Sequence, residues 1–132
     1  MLNVQVVSPE SVSYTGEASM VVARTVGGGD AGILPGHVPF IGTLQVWSVD
    51  VVKEDGSKDT FAVHRGFVQV SGNDVTILSD VSEARDEIDV ARAETALAAA
   101  EQVLADEPGN ETAWGDKTRA KLRLRVAAGE DA

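Results

Sequence analysis

The chain has no cysteine and only two histidines, His37 and His64. The first absence excludes disulfides, a thiol nucleophile and a thiolate-bound metal. The second leaves a histidine-based zinc site short of ligands. Aromatic residues are scarce at 5%, and positive charge is scarce too: 11 Lys plus Arg stand against 21 Asp plus Glu, a formal charge of −10. A chain of that sign repels phosphate backbones and anionic lipid, so neither nucleic acid nor a membrane surface is an expected partner. No apolar run approaches the roughly 18 residues of a membrane span, so direct membrane insertion is not expected. The opening Met-Leu-Asn-Val-Gln has neither the positive start nor the apolar stretch of a signal peptide, which points to the cytoplasmic side.

What is present changes character along the 132 residues. Residues 1 to about 80 read as strands and turns. Leu2, Val4 and Val6 alternate with Asn3 and Gln5, the period of a half-buried strand. Met20 to Ala23 is a short apolar run, and the following Gly27-Gly28-Gly29-Asp30 is read as irregular. Gln45 to Val52 runs into the turn signal Glu54-Asp55-Gly56, and Thr60 to Val63 resumes the strand pattern. Phe67 to Val70 and Val75 to Leu78 flank Ser71-Gly72-Asn73-Asp74, a hairpin signature. Many short strands with glycine-rich turns predict an all-β sandwich or barrel.

From Asp86 the pattern turns helical. Ala93, Ala96, Leu97, Ala100, Val103 and Leu104 recur at three- and four-residue steps among strong helix formers. Acidic Asp86 and Glu87 suit a helix start. Pro108-Gly109-Asn110 breaks the helix, and a second runs from about Glu111 to Ala128. So short a break makes the two antiparallel neighbours. The expected fold is therefore an N-terminal sandwich, residues 1–84, and a C-terminal antiparallel helical hairpin, residues 85–132.

Charge in the hairpin is sorted. Residues 83–111 hold nine acids and two arginines, whereas 117–125 hold five bases and no acid: Lys117, Arg119, Lys121, Arg123 and Arg125. Complementing the acidic first helix is the plainer role. At about 100° per residue, Ala120, Leu124 and Ala127 form one apolar stripe, with Leu122 and Val126 nearly opposite. One neighbouring helix covers one stripe, so the second predicts a further partner, acidic in character.

Chemical motifs are few. The glycine run lacks the Gly-Lys-Ser/Thr ending of a phosphate loop. His37 and His64 are the only acid–base candidates for a small hydrolase, and no nucleophile elbow accompanies them. Asp89 and Arg92 lie one turn apart on the first helix, and Arg119 and Arg123 share a face of the second. Folded together, three guanidiniums suit phosphates and a carboxylate suits a hydroxyl or amino donor. An interhelical Asp–Arg salt bridge is the more economical account from spacing alone.

Gly29-Asp30-Ala31-Gly32-Ile33-Leu34-Pro35-Gly36-His37-Val38-Pro39 resembles the G-[DE]-x-G-[IV]-L-P-G-H-x-P segment of the bacterial F-type ATP synthase epsilon subunit family. In the family's order, Val6-Val7-Ser8-Pro9 resembles its opening strand and turn. Gly66-Phe67-Val68-Gln69-Val70 with Val75 to Asp80 resembles its hairpin. Ile88-Asp89-Val90-Ala91-Arg92-Ala93 matches the I/L-D-x-x-R-A helix opening, and Arg119 to Val126 resembles its final helix. Arg65 departs from the small residue or glycine common there, and Gly115 predicts a shortened second helix, at a cost of about 1 kcal/mol against alanine.

The resemblance implies a non-catalytic rotor component of the central stalk, coupling proton translocation to ATP synthesis on the cytoplasmic face of the bacterial cell membrane. It implies sandwich contacts with the gamma subunit and the c-ring through the turn holding Asp30, Gly32 and His37. It also implies an extended hairpin that engages the alpha/beta subunits through Lys117, Arg119, Lys121, Arg123 and Arg125 and blocks hydrolysis. No cofactor is required on this reading. ATP enters as a regulatory ligand of the folded hairpin at Glu83, Asp89, Arg92, Arg119 and Arg123. The alternative is a free-standing ATP-sensing module built on the same cluster.

Overall fold

A computed structural model describes residues 1–27 and 29–129. Gly28 of the glycine run and the last three residues of the 85–132 segment lie outside the described residues. Ten strands precede two helices: β1 (Leu2–Ser8), β2 (Ser11–Ala18), β3 (Met20–Thr25), β4 (Gly29–Ile33), β5 (Phe40–Leu44), β6 (Trp47–Val52), β7 (Lys58–Val63), β8 (Gly66–Ser71), β9 (Asp74–Ser79) and β10 (Ser82–Ala84), then a 3-10 turn (Arg85–Glu87), α1 (Val90–Asp106) and α2 (Glu111–Ala128). This is the expected sandwich with its helical hairpin.

The strands are hydrogen-bonded in the order β10-β7-β6-β3-β5-β8-β9-β1-β2, with β4 on β3. Neighbours run antiparallel except β1 and β9. The sheet curls back on itself, and the hydroxyls of Ser13 on β2 and Ser82 on β10 meet at 2.7 Å where its ends approach. Alternation does the folding: Leu2, Val4 and Val6 point inward, while Asn3 and Gln5 are exposed. With Val21, Ile33, Val51, Phe61, Val68 and Ile77 they fill a core supplied wholly by the strands. Among the described residues no hairpin residue belongs to it, so the sandwich closes its own apolar interior.

β7 departs from simple alternation. Phe61 and Val63 face the sandwich core, yet Ala62 and His64 on the other side are buried as well. Ala62 joins Ile88, Leu122 and Val126 in a second, small apolar cluster beneath α2. The Leu122/Val126 stripe is therefore covered by the chain's own sandwich, and no further acidic partner is needed to explain it. The alanine pairs Ala93/Ala100 on α1 and Ala113/Ala120 on α2 are also buried, each spaced by two helical turns, so the helices approach closely along small residues.

Three local expectations differ from the structure. Gly29 and Asp30 are not irregular: they open β4 and pair with Thr25 and Arg24. α1 begins at Val90 and not at Asp86, because Ile88 turns in to the small cluster and Asp89 then caps the helix, its Oδ1 accepting from the Arg92 N–H at 3.0 Å. α2 is not shortened by Gly115. It runs 18 residues, from an Asn110 cap whose Oδ1 accepts from the Ala113 N–H to Gly129, which ends it at φ 78°. A side chain at position 115 would meet the Arg119 guanidinium at 3.3 Å, so the arginine uses the space that glycine leaves.

Candidate functional site: the seam between sandwich and hairpin

β10 pairs with β7 so that Glu83 stands opposite Ala62, which brings its carboxylate to His64. Glu83 Oε1 accepts from His64 Nε2 at 3.0 Å and from Arg123 Nε, on α2, at 2.6 Å. One oxygen thus holds a sandwich donor and a helix donor together. Only 4% of the His64 side chain is exposed. Since a carboxylate accepts, Nε2 carries the imidazole proton; Nδ1 is buried and has no hydrogen-bond partner. Burial pushes the His64 pKa below its ordinary 6.5, the Arg123 guanidinium adds to that, and the Glu83 carboxylate opposes it.

Two further contacts fix α2. The Arg85 Nε donates at 2.8 Å to the Val126 carbonyl, which also accepts from the Gly129 N–H, and places a cation at the negative pole of the helix dipole. Trp47, at the start of β6, carries the Arg24 guanidinium 3.7 Å and the Arg125 guanidinium 3.4 Å from its ring centroid. Separations that short accommodate both cations only on opposite faces of the indole. Arg24 in turn forms a two-pronged pair with Asp30, Nε to Oδ1 at 2.8 Å and Nη2 to Oδ2 at 3.2 Å. A continuous path of polar contacts runs from Asp30 on β4 through Arg24 and Trp47 to Arg125 on α2. Arg24 holds the Asp30 carboxyl below the usual carboxylate range through their hydrogen bond.

The expected nucleotide residues are partly gathered. Glu83, Asp89, Arg92 and Arg123 line one cleft of about 420 Å³ beside Val81 and Ala96. Arg119 does not line it. Its guanidinium donates to Asp116 one turn back, at 2.7 Å, and faces the neighbouring groove between the helices, which Arg123 also lines. The interhelical Asp–Arg pair considered for Asp89 gives way to the Glu83–Arg123 pair, because Asp89 is occupied as the α1 cap.

Of the three residues expected at the sandwich's partner end, only His37 lies in a turn; Asp30 and Gly32 are on β4. The His37 Nδ1 donates to the Val38 carbonyl at 2.7 Å and its ring lies against Phe40. Around it Leu34, Val38 and Ile41 are exposed by half or more. In the basic cluster, Arg119, Arg123 and Arg125 are engaged within the chain, Lys117 lies 5.0 Å over the Trp114 ring, and Lys121 is exposed. Sequence reasoning missed Trp47 and His64 as docking residues. A tryptophan in a chain this poor in aromatics was the available signal; the His64–Glu83 contact, 19 residues apart, had none.

A sandwich that closes its own core and carries on one flank a helical hairpin whose second helix is basic is a two-part chain. Residues 1–85 match the model of the ATP synthase delta/epsilon chain beta-sandwich domain, and residues 86–129 match that of the delta/epsilon chain long alpha-helix domain. The chain belongs to the ATP synthase delta/epsilon family. It is 41% identical to the ATP synthase epsilon chain of Streptomyces coelicolor, an alignment covering 97% of this chain and 96% of that one. It is 40% identical to the epsilon chain of Thermobifida fusca, over 99% and 95% of the two. Its fold superposes on a chain of the Euglena gracilis mitochondrial ATP synthase with a TM-score of 0.70 at 20% identity, covering 96% of this chain and 77% of that one. A chain of the Tetrahymena thermophila central stalk and c-ring gives a TM-score of 0.61 at 16% identity, over 96% of each.

Proposed function

We propose that this chain is the epsilon subunit of an F-type ATP synthase, a rotor component that couples proton flow through the membrane sector to ATP synthesis. It is a subunit of the complex and supplies no catalytic group. The sandwich joins the gamma subunit to the c-ring at the cytoplasmic face of the membrane, and the exposed Leu34, Val38 and Ile41 beside His37 give that end an apolar surface for partners. No helix among the described residues is long and apolar enough to cross a membrane.

One observation carries the regulatory half of this reading: the sandwich core contains no described hairpin residue, whereas the hairpin rests on the sandwich through a small apolar cluster and a few polar contacts. Such a hairpin lifts away without opening the main core. Released, it frees Arg123 and Arg125 from Glu83 and Trp47 and presents the five bases to an acidic surface of the alpha/beta subunits, restraining hydrolysis. ATP in the Glu83/Asp89/Arg92/Arg123 cleft favours the docked state.

The test is hydrolysis by an epsilon-depleted catalytic complex titrated with the full chain and with a chain ending at Asp86. Both forms bind the complex, and only the full chain inhibits. Loss of binding on truncation would overturn the division of labour; an absence of binding by either form would overturn the assignment itself.

A further inference from the structure

We propose that His64 is a proton-operated latch on the hairpin: neutral, it donates to the Glu83 carboxylate that holds Arg123, and taking up a second proton at Nδ1 it releases α2 from the sandwich. The proposal rests on the hairpin-release reading above and adds a trigger to it.

The geometry leaves no comfortable place for the second proton. Nδ1 is buried without an acceptor, so protonating it creates a buried N–H with nothing to bond. It also creates a cation beside a Glu83 oxygen that already serves Arg123. Charged groups act on the imidazole from β10, as Glu83, and from α2, chiefly as Arg123 and least as Arg119, which is itself paired with Asp116. Asp50, on adjoining β6, is occupied by Thr60 and Lys58. Arg85 and Glu87 of the 3-10 turn are occupied by the Val126 carbonyl and the Ala84 N–H. Asp89, in the same cleft, accepts from the Arg92 N–H as the α1 cap, and among the described residues Glu83 is the acid bonded to the ring, so the imidazolium is resisted from the helix side. Undocking α2 removes the arginines and admits water, so the histidine pKa rises back toward its ordinary value.

The sign of the pH effect follows. The docked state holds the histidine below its free value, so docking is at full strength above about pH 6.5 and weakens as pH falls through it. Release takes up one proton, so its equilibrium constant rises by up to about tenfold per pH unit in that window. Acidification therefore favours the extended, inhibitory hairpin.

Trp47 reports docking because Arg125 stacks on it only when α2 is seated. In the full chain carrying Trp114→Phe, Trp47 fluorescence is followed from about pH 8 to about pH 5, across the histidine range. The expected result is a one-proton transition to the solvent-exposed signal, which His37→Gln preserves and His64→Gln abolishes. Glutamine keeps a donor for Glu83 and cannot titrate. The His64 imidazole resonance of the unaltered chain shifts at the same midpoint. Coincident curves for His64→Gln and its parent overturn the proposal. So does a flat curve in a background where Glu83→Gln exposes Trp47, and that outcome leaves the hairpin-release reading standing. If neither acid nor Glu83→Gln moves the signal, the release reading falls along with the latch.

Discussion

The guanidinium of Arg125 lies 3.4 Å from the ring centroid of Trp47, joining the last turn of α2 to the first residue of β6. Arg24 lies 3.7 Å from the same centroid, so the indole is an aromatic surface through which the two parts of the chain meet. A partly desolvated cation–π contact contributes about 1–2 kcal/mol. Arg125→Ala is therefore expected to lower the protection of α2 amides from hydrogen exchange by about 5- to 30-fold while leaving β1 and β9 protected. Equal loss in both places would mean that the hairpin and sandwich open as one unit.

The corner between β7 and β8 holds two left-handed residues in succession, Arg65 at φ 69° and Gly66 at φ 147°. A Cβ at position 66 would stand 1.8 Å from the Leu78 carbonyl oxygen, a backbone atom that cannot move aside. Gly66→Ala is expected to destabilise the sandwich by more than about 3 kcal/mol, visible as a large fall in Tm or as failure to fold. Arg65→Gly has the opposite sign. It removes the cost of a left-handed side-chain-bearing residue and is expected to raise stability by about 1 kcal/mol. The arginine's departure from the glycine common at this corner in the resembling family is thus a conformational expense and not a change of fold.

Arg123 and Arg119 should separate in nucleotide binding. Arg123 lines the cleft with Glu83, Asp89 and Arg92, whereas Arg119 is turned to Asp116 in the next groove. Arg123→Ala is expected to weaken ATP binding by at least about tenfold in calorimetry, the scale of one charge-assisted contact, and Arg119→Ala by less. Equal effects would place the nucleotide across both grooves.

Most of the architecture was legible because it follows from local periodicity. Leu2-Val4-Val6 forms an alternating strand, Ser71-Gly72-Asn73-Asp74 makes a turn, and Pro108-Gly109-Asn110 divides two helices. The approximate bounds of α2, about Glu111 to Ala128, were legible from the Pro108-Gly109-Asn110 break, and the structure adds the Asn110 and Gly129 caps. Glycine misled twice. Gly29 entered a strand because β3 supplied hydrogen-bonding partners for it, and Gly115 stayed in a helix because the flanking residues and the arginine packed over it outweigh its propensity.

The candidate site divides along the same line. Asp89, Arg92, Arg119 and Arg123 could be chosen from helical spacing, because residues three or four apart share a face whatever the helix packs against. Which acid Arg123 grips, and that Arg119 turns away, depend on the distance and rotation of α2 against the sandwich. Those are set by Ile88, Leu122 and Val126 sinking onto Ala62.

By itself the sequence determined six of the ten strands, the two helices, the sorted charge and the family motifs, since each is a pattern between near neighbours. Tertiary structure alone decided that Trp47 is clasped by two arginines and that one Glu83 oxygen joins His64 to Arg123. Both bring together residues from separate elements, and only packing, which is blind to separation along the chain, could place them side by side.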